Sequence, residues 1–276
     1  MNKLILSLLL LFISTILRAQ PNSDNILKEG QLLYRLEKAS WYGTDYLLEK
    51  FPNMRNQIGG YLSYQSDHNK IYTIFFERNF TSHVLVRFQF DSLPRQNPIG
   101  IDTINLIANQ TESDLIKIRQ DALEKINTNS DKFFSFYKNT SYNIIPVITK
   151  TERKVYSITG PQTSGIVLIG NDYLFKYDSD NNFISKEKIH NSLIQLPAKM
   201  DSAKNAVATM HSHVISEIID PTDICTLLLY RDFVEWKQHY VISSKYVSIF
   251  DLEKEKLVIM KKKDWEKIYQ NNKENK

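Results

Sequence analysis

The chain has a single cysteine, Cys225, in 276 residues. That excludes an intramolecular disulfide, so packing alone must hold the fold. After residue 17, no stretch approaches the roughly 20 apolar residues that a membrane-spanning helix needs. The mature chain therefore contains no predicted transmembrane segment. A strong excess of one charge is also missing: 35 lysines and arginines stand against 31 acids, and Lys3 and Arg18 belong to the N-terminal leader. So even a balance argues against a dedicated nucleic-acid binder. No Gly-rich phosphate loop, Ser-His-Asp spacing or paired-cysteine metal motif is visible.

What is present begins with a targeting signal. Lys3 supplies the charge, and Leu4 to Leu17 form an apolar run of signal-peptide length. Arg18-Ala19-Gln20-Pro21 breaks it, so residues 1–19 read as a cleaved signal peptide and the protein as exported, to the periplasm or beyond. Two modules are expected after it, 20–140 and 141–276, with the second ending in a basic tail at Lys261-Lys262-Lys263 beside a terminal helix.

The first module reads as helix over Ile26–Leu48 with a break near Gly43. Strands follow at Tyr61–Tyr64, Ile71–Phe76 and Val84–Phe90, where apolar side chains alternate. Thr111–Ile126 carries the stripe Leu115, Ile118, Ala122 and Ile126, with Thr111 as its cap. A short aromatic helix is predicted at Lys132–Tyr137. Trp41, Tyr42, Tyr46, Phe133, Phe134 and Tyr137 are core material, or else the walls of a ligand groove.

The second module is mostly strand: Ile144–Ile148, Lys154–Ile158, Gly165–Ile169, Tyr173–Tyr177 and Asn182–Ser185, then Tyr240–Ser243, Val247–Phe250 and Leu257–Met260. Asn171-Asp172 reads as a turn. Ala203–Ser212 reads as helix passing into strand, and Pro221–Trp236 as helix. The whole is α+β, a mixed or antiparallel sheet with flanking helices.

The chemistry concentrates at Met210-His211-Ser212-His213 and, ten residues on, Asp223. Histidines two apart on a strand point to one face. A carboxylate from the next helix start can join them, and three protein ligands plus water is the usual catalytic zinc layout. Asp220 as N-cap, Pro221 at the first helical position and Asp223 at the third also make a good helix start in their own right. Glu187 and His190 read as surface residues near a turn, His239 as structural, and Cys225 as buried packing.

The order of pieces over residues 155–260 resembles the JAMM (MPN-type) metallopeptidase domain. Pro161-Gln162-Thr163-Ser164-Gly165 running into Ile166–Gly170 matches its first segment, His211-Ser212-His213 its histidine strand, and Asp220-Pro221-Thr222-Asp223 its helix start. The remainder resembles exported proteins of Gram-negative bacteria. The resemblance implies zinc held by His211, His213 and Asp223, and a general acid/base at position 162. That position holds Gln162, which cannot take a proton from water and return it. Asp220 stands for the family's serine and Val214 for a proline, and the gap between His213 and Asp220 is one residue short.

The resulting expectation is a metal-binding, catalytically weak or silent domain that binds a protein or peptide. The alternative is an active zinc amide hydrolase in which Glu217, in the loop between ligands, replaces Gln162. The second alternative is a non-metal structural protein with incidental histidines. Gln162 is expected beside the metal point.

Overall fold

The computed structural model describes residues 23–66, 68–79, 82–104, 106–199 and 208–274. The expected signal peptide lies outside them, as does the start of the segment expected from Ala203. The fold is α+β: antiparallel sheets with flanking helices. Among the described residues no helix is long and apolar enough to cross a membrane.

A long helix, α1 (Ser23–Lys50), opens the chain and runs through Gly43 without a break. Gly43 is there for space. A Cβ on it would lie 3.0 Å from Thr73 Cγ2 and 3.4 Å from Phe88. The strands it lies against are β1 (Ile58–Gln65), β2 (Ile71–Glu77) and β3 (His83–Phe90), an antiparallel meander extended by β4 (Gly100–Asp102) and β5 (Leu106–Ile107). Along β3 the buried residues Val84, Val86, Phe88 and Phe90 alternate as a half-buried strand requires.

Helix α2 (Gln110–Thr128) starts one residue before the expected Thr111 and is capped by Asn109. The Asn109 side chain accepts the Glu112 N–H at 2.9 Å, and the Glu112 carboxylate accepts the Asn109 N–H at 2.9 Å, a reciprocal capping box. The predicted helix at Lys132–Tyr137 does not form. Asn129 closes α2 in the left-handed conformation, and its side chain then bonds both N–H and C=O of Phe134. That loop turns Phe133 and Phe134 onto Tyr173 instead.

The remaining strands are β6 (Thr140–Ile148), β7 (Arg153–Pro161), β8 (Ile166–Gly170), β9 (Tyr173–Tyr177), β10 (Phe183–Lys188), β11 (Leu193–Pro197), β12 (Ala208–Ser212), β13 (Gln238–Ile242), β14 (Tyr246–Asp251) and β15 (Lys256–Lys261). They form one sheet ordered β10-β9-β7-β6, a pair β11-β8, and a sheet β12-β13-β14-β15. Among the described residues all pairings are antiparallel except β12 with β13. Between those two lies α3 (Pro221–Tyr230), the crossover that a parallel pair needs. It is shorter than the expected Pro221–Trp236, giving way to a 3-10 turn at Arg231–Phe233. A terminal helix, α4 (Lys262–Glu274), follows β15.

Among the described residues the strands before residue 140 pair only with one another, yet the core crosses that line. Leu33, Leu36, Phe75 and Phe88 pack in one cluster with Ile145, Tyr156, Cys225 and Leu229. Ile26, Leu27 and Tyr34 of α1 pack on a second cluster under α3. The crossing of α1 over α3 is close: a Cβ on Gly30 would lie 2.6 Å from Ile224 Cβ and 3.0 Å from the Pro221 carbonyl oxygen. The first helix thereby fixes the N-terminus of α3.

Candidate metal centre

That N-terminus carries Asp223, 1 % exposed. Its Oδ2 accepts the backbone N–H of Asp220 at 3.0 Å, fixing the carboxylate across the first turn. Its Oδ1 has no hydrogen-bond partner. The atom lies 3.2 Å from His190 Nε2 and 3.8 Å from His211 Nε2, while Oδ2 is 3.2 Å from His213 Nε2. One ligand atom each from His190, His211, His213 and Asp223 falls within 4.8 Å of all the others. These four residues lie close enough to hold a metal ion.

His211 stands on β12, and His213 continues its alternation just past the strand end, where its N–H donates to the Ile242 carbonyl at 2.9 Å. Both side chains therefore face the start of α3. The fourth member, His190, arrives from the β10–β11 connection and is buried. The expectation that it is a surface residue is incorrect, although its neighbour Glu187 is exposed on β10. The turn after β8 brings it in. Gly170 adopts φ +95°, and a Cβ there would lie 2.3 Å from the Ser192 carbonyl oxygen and 3.3 Å from His190 Cβ. Only glycine lets the 190–192 segment approach this closely. Asn171 and Asp172 link β8 to β9, which lie in different sheets, and both are buried. Asp172 accepts the Thr159 N–H at 3.0 Å and places its other oxygen 3.4 Å from His190 Nδ1.

His211 and His213 have their outer nitrogens hydrogen-bonded, whereas His190 Nδ1 only faces a carboxylate and has no hydrogen-bond partner. His190 Nδ1 faces Asp172, and His213 Nδ1 lies 2.9 Å from the Ile218 carbonyl and 2.7 Å from Ser216 Oγ. His211 Nδ1 lies 2.7 Å from His239 Nε2, and His239 Nδ1 lies 2.7 Å from Thr209 Oγ1. Carbonyl and relayed hydroxyl partners of this kind orient metal-binding histidines and fix their tautomers. His239 is structural in this specific sense.

The charges in the cluster are tightly coupled. Burial opposes charge on Asp223, yet His190, His211 and His213 around it hold it well below the ordinary carboxylate range. Burial likewise opposes charge on His190, but Asp223 and Asp172 push it up to about 11. Burial lowers His211 to about 4 and His239 to about 3. Asp220, raised to about 6 by burial and by Asp223, is bonded by Ser216 Oγ at 2.7 Å. Beside the cluster is a cavity of about 30 Å³ lined by Gly170, His190, Asn191, Ser192, His211 and His213, among others. That is room for a water molecule or two.

Two sequence-predicted residues do not join this site. Gln162 lines a different depression, with Trp41, Tyr230 and Phe233, and its N–H donates to the Asn139 carbonyl. The reason is strand direction: Gly170, the far end of β8, faces the histidines. Gln162 lies before Ile166, and the four steps of β8 alone span about 13 Å. Glu217 is drawn outward. Its carboxylate accepts from Ser243 Oγ at 3.1 Å, Ser244 Oγ at 3.2 Å and Lys245 Nζ at 2.8 Å, pinning its loop to the β13–β14 turn.

His190 carries little sequence signal, since a lone histidine in Lys188-Ile189-His190-Asn191 has no ligand spacing. Ile189 is its one hint, a buried-type residue before the turn. Comparison with protein-family models, with curated proteins and with solved structures finds no match.

Proposed function

We propose that this chain is an exported metal-binding protein in which His190, His211, His213 and Asp223 hold one zinc ion. The observation that carries the reading is the convergence of unpaired buried atoms. His211 Nε2 and Asp223 Oδ1 have no hydrogen-bond partner and face each other at 3.8 Å, with His190 Nε2 beside them. Unpaired buried polar atoms cost free energy, and a cation among them removes that cost. Three imidazoles and one carboxylate suit zinc better than calcium or magnesium, which prefer all-oxygen shells.

The outer partners give each residue a role. With Nε2 turned to the metal, His211 Nδ1–H donates to His239 Nε2, and His239 Nδ1–H donates to Thr209 Oγ1. His213 Nδ1–H donates to the Ile218 carbonyl, and the Asp172 carboxylate stands 3.4 Å from His190 Nδ1. Four protein ligands would fill the tetrahedral shell of a zinc ion, as in closed structural sites, and would leave no position for a water or a carbonyl oxygen to be polarised. A carboxylate free to shuttle a proton is also missing from the described surroundings: Asp172 faces His190, Asp220 is engaged by Ser216, and Glu217 is turned away. A positioned general acid/base contributes about 10² to 10⁴-fold. The reading favoured is therefore a metal-stabilised, JAMM-like binding domain for a protein or peptide, with weak or no hydrolysis.

The test is metal analysis of the mature protein purified without chelators or metal-affinity steps. The expected result is about one zinc per chain, lost in Asp223→Ala, with little turnover on amide substrates. Absence of bound metal together with no thermal response to added zinc would overturn the metal reading. Robust turnover would overturn the silent one.

A further inference from the structure

The charge of this chain is not evenly spread. From Lys261 onward six lysines stand against three acids, whereas residues 20–260 carry 27 basic and 28 acidic residues. The positive excess is therefore gathered in one short segment, the end of β15 and helix α4. Lys261, Lys262, Lys263 and Lys267 make no ion pair among the described residues, unlike Lys245 beside them, which meets Glu217 at 2.8 Å. Lys245 and Lys261 to Lys263 help to wall an open depression of about 790 Å³ where α4 leaves the sheet.

The other side of α4 is apolar. Trp265, Ile268 and Tyr269 stand at i, i+3 and i+4 and share one face. At 3.6 residues per turn, Lys263 and Lys267 fall on the far side. Helices α1, α2 and α3 each turn an apolar stripe into a core, but none of the described side chains of α4 is buried. Ile268 is 53 % exposed and Tyr269 50 %, and the Trp265 and Tyr269 rings stack at 5.2 Å. An apolar ridge on a protruding helix, backed by lysines, is the pattern of a helix that lies in a bilayer interface. Tryptophan and tyrosine settle at headgroup depth, where an apolar ring and a polar tip are both satisfied.

We propose that α4 docks this protein on an anionic lipid bilayer. Trp265, Ile268 and Tyr269 enter the interface, and Lys261, Lys262, Lys263 and Lys267 meet the lipid phosphates. Charge complementarity selects the partner: each lysine near an anionic surface adds attraction, and three apolar side chains alone are too small an anchor for a neutral bilayer. Binding is therefore reversible, sensitive to salt and independent of the histidine centre.

The test is flotation of the full mature chain with vesicles of phosphatidylcholine, with and without phosphatidylglycerol. At least about tenfold more protein is expected on the anionic vesicles, with the excess lost at about 1 M salt, where charges are screened within a few ångströms. Ile268→Asp and the pair Lys262→Glu, Lys263→Glu should each weaken binding at least about tenfold. Both change exposed positions, and an unchanged melting temperature confirms that the fold is intact. Brominated lipid should quench tryptophan fluorescence in the wild type and not in Trp265→Phe. Binding should persist in EDTA. Four results would overturn the proposal: no flotation with anionic vesicles; equal flotation with neutral ones; wild-type binding by Ile268→Asp; or a wild-type dimer in sedimentation that Ile268→Asp breaks, which would give this face to a second copy of the chain.

Discussion

Two buried polar clusters, one at the start of α3 and one along α1, resolve their unpaired atoms differently. Around Asp223 the unpaired atoms face one another across a few ångströms, and His211 and His213 are anchored from behind by His239 and the Ile218 carbonyl. Around Glu37 they do not converge. Arg119 has an unpaired Nε, but its guanidinium lies over the rings of Tyr61 and Phe76, and the Glu37 carboxyl is met by Trp41. The first arrangement is completed by adding a cation. The second is completed by letting Glu37 keep its proton, because burial pushes its pKa up to about 7. Convergence with rearward anchoring, rather than burial of polar groups as such, is what marks a ligand site.

The largest expected effect separates the clusters directly. Zinc at about 1,000 times its dissociation constant should stabilise the protein by about 4 kcal/mol, raising the melting temperature by roughly 8–16 °C for a chain of this size. The response should vanish in Asp223→Ala and His213→Ala and survive in Glu37→Gln. Equal responses in all variants, followed by calorimetry, would mean that zinc binds elsewhere.

Next is the crossing of α1 over α3. Gly30→Val places side-chain atoms where Ile224 and the Pro221 carbonyl already stand. Overpacking of this kind costs about 1–3 kcal/mol. Because the displaced element carries Asp223, zinc affinity should fall along with stability. Denaturant melts with and without zinc check both. A variant that loses stability but binds zinc normally would show that α1 does not position the ligand.

The relay behind His211 comes third. His239→Leu removes the partner of His211 Nδ1 without touching a proposed ligand. Loss of such a partner weakens metal binding about 10- to 100-fold. A competition titration against a chromogenic chelator reads it, and an unchanged affinity would reduce His239 to packing against Trp236.

How much of this was legible follows from the physics of each signal. Alternation made β3, β9 and β13 readable, because each presents one face to a core, whereas β2 shows as a short apolar run buried on both faces. The two-residue spacing placed His211 and His213 on one side for the same reason. Caps are local, so the α3 start was readable from Asp220-Pro221. His190 and Asp172 were not, since a long-range pairing of β8 with β11 and the close approach at Gly170 bring them in. Neither leaves a periodic trace. Position 162 was misplaced because spacing along a strand does not say which of its ends faces the site. The Lys132–Tyr137 segment has helical composition, but Asn129 takes its backbone groups first.

The smallest effect concerns Glu37. Its folded pKa of about 7 lies above the ordinary value of 4.5. Between those values the folded state therefore binds more protons than the unfolded one, so this group's contribution to stability declines as pH rises from 4.5 through 7. The charge is favoured by the Trp41 Nε1 hydrogen bond and then by Arg119, while Tyr61, Tyr230 and the buried Cys225 thiol lie on its other sides. Glu37→Gln keeps an oxygen for Trp41 Nε1 and removes the charge. Near pH 5 the variant should match the parent within about 0.5 kcal/mol. At pH 8 it should be more stable by about 1–2 kcal/mol, part of the linkage limit of about 3. Urea melts of both proteins at the two pH values, with zinc held in excess, isolate the difference. A variant less stable at pH 8 would mean that the Glu37–Arg119 attraction outweighs burial, and that this second cluster is an ion pair after all.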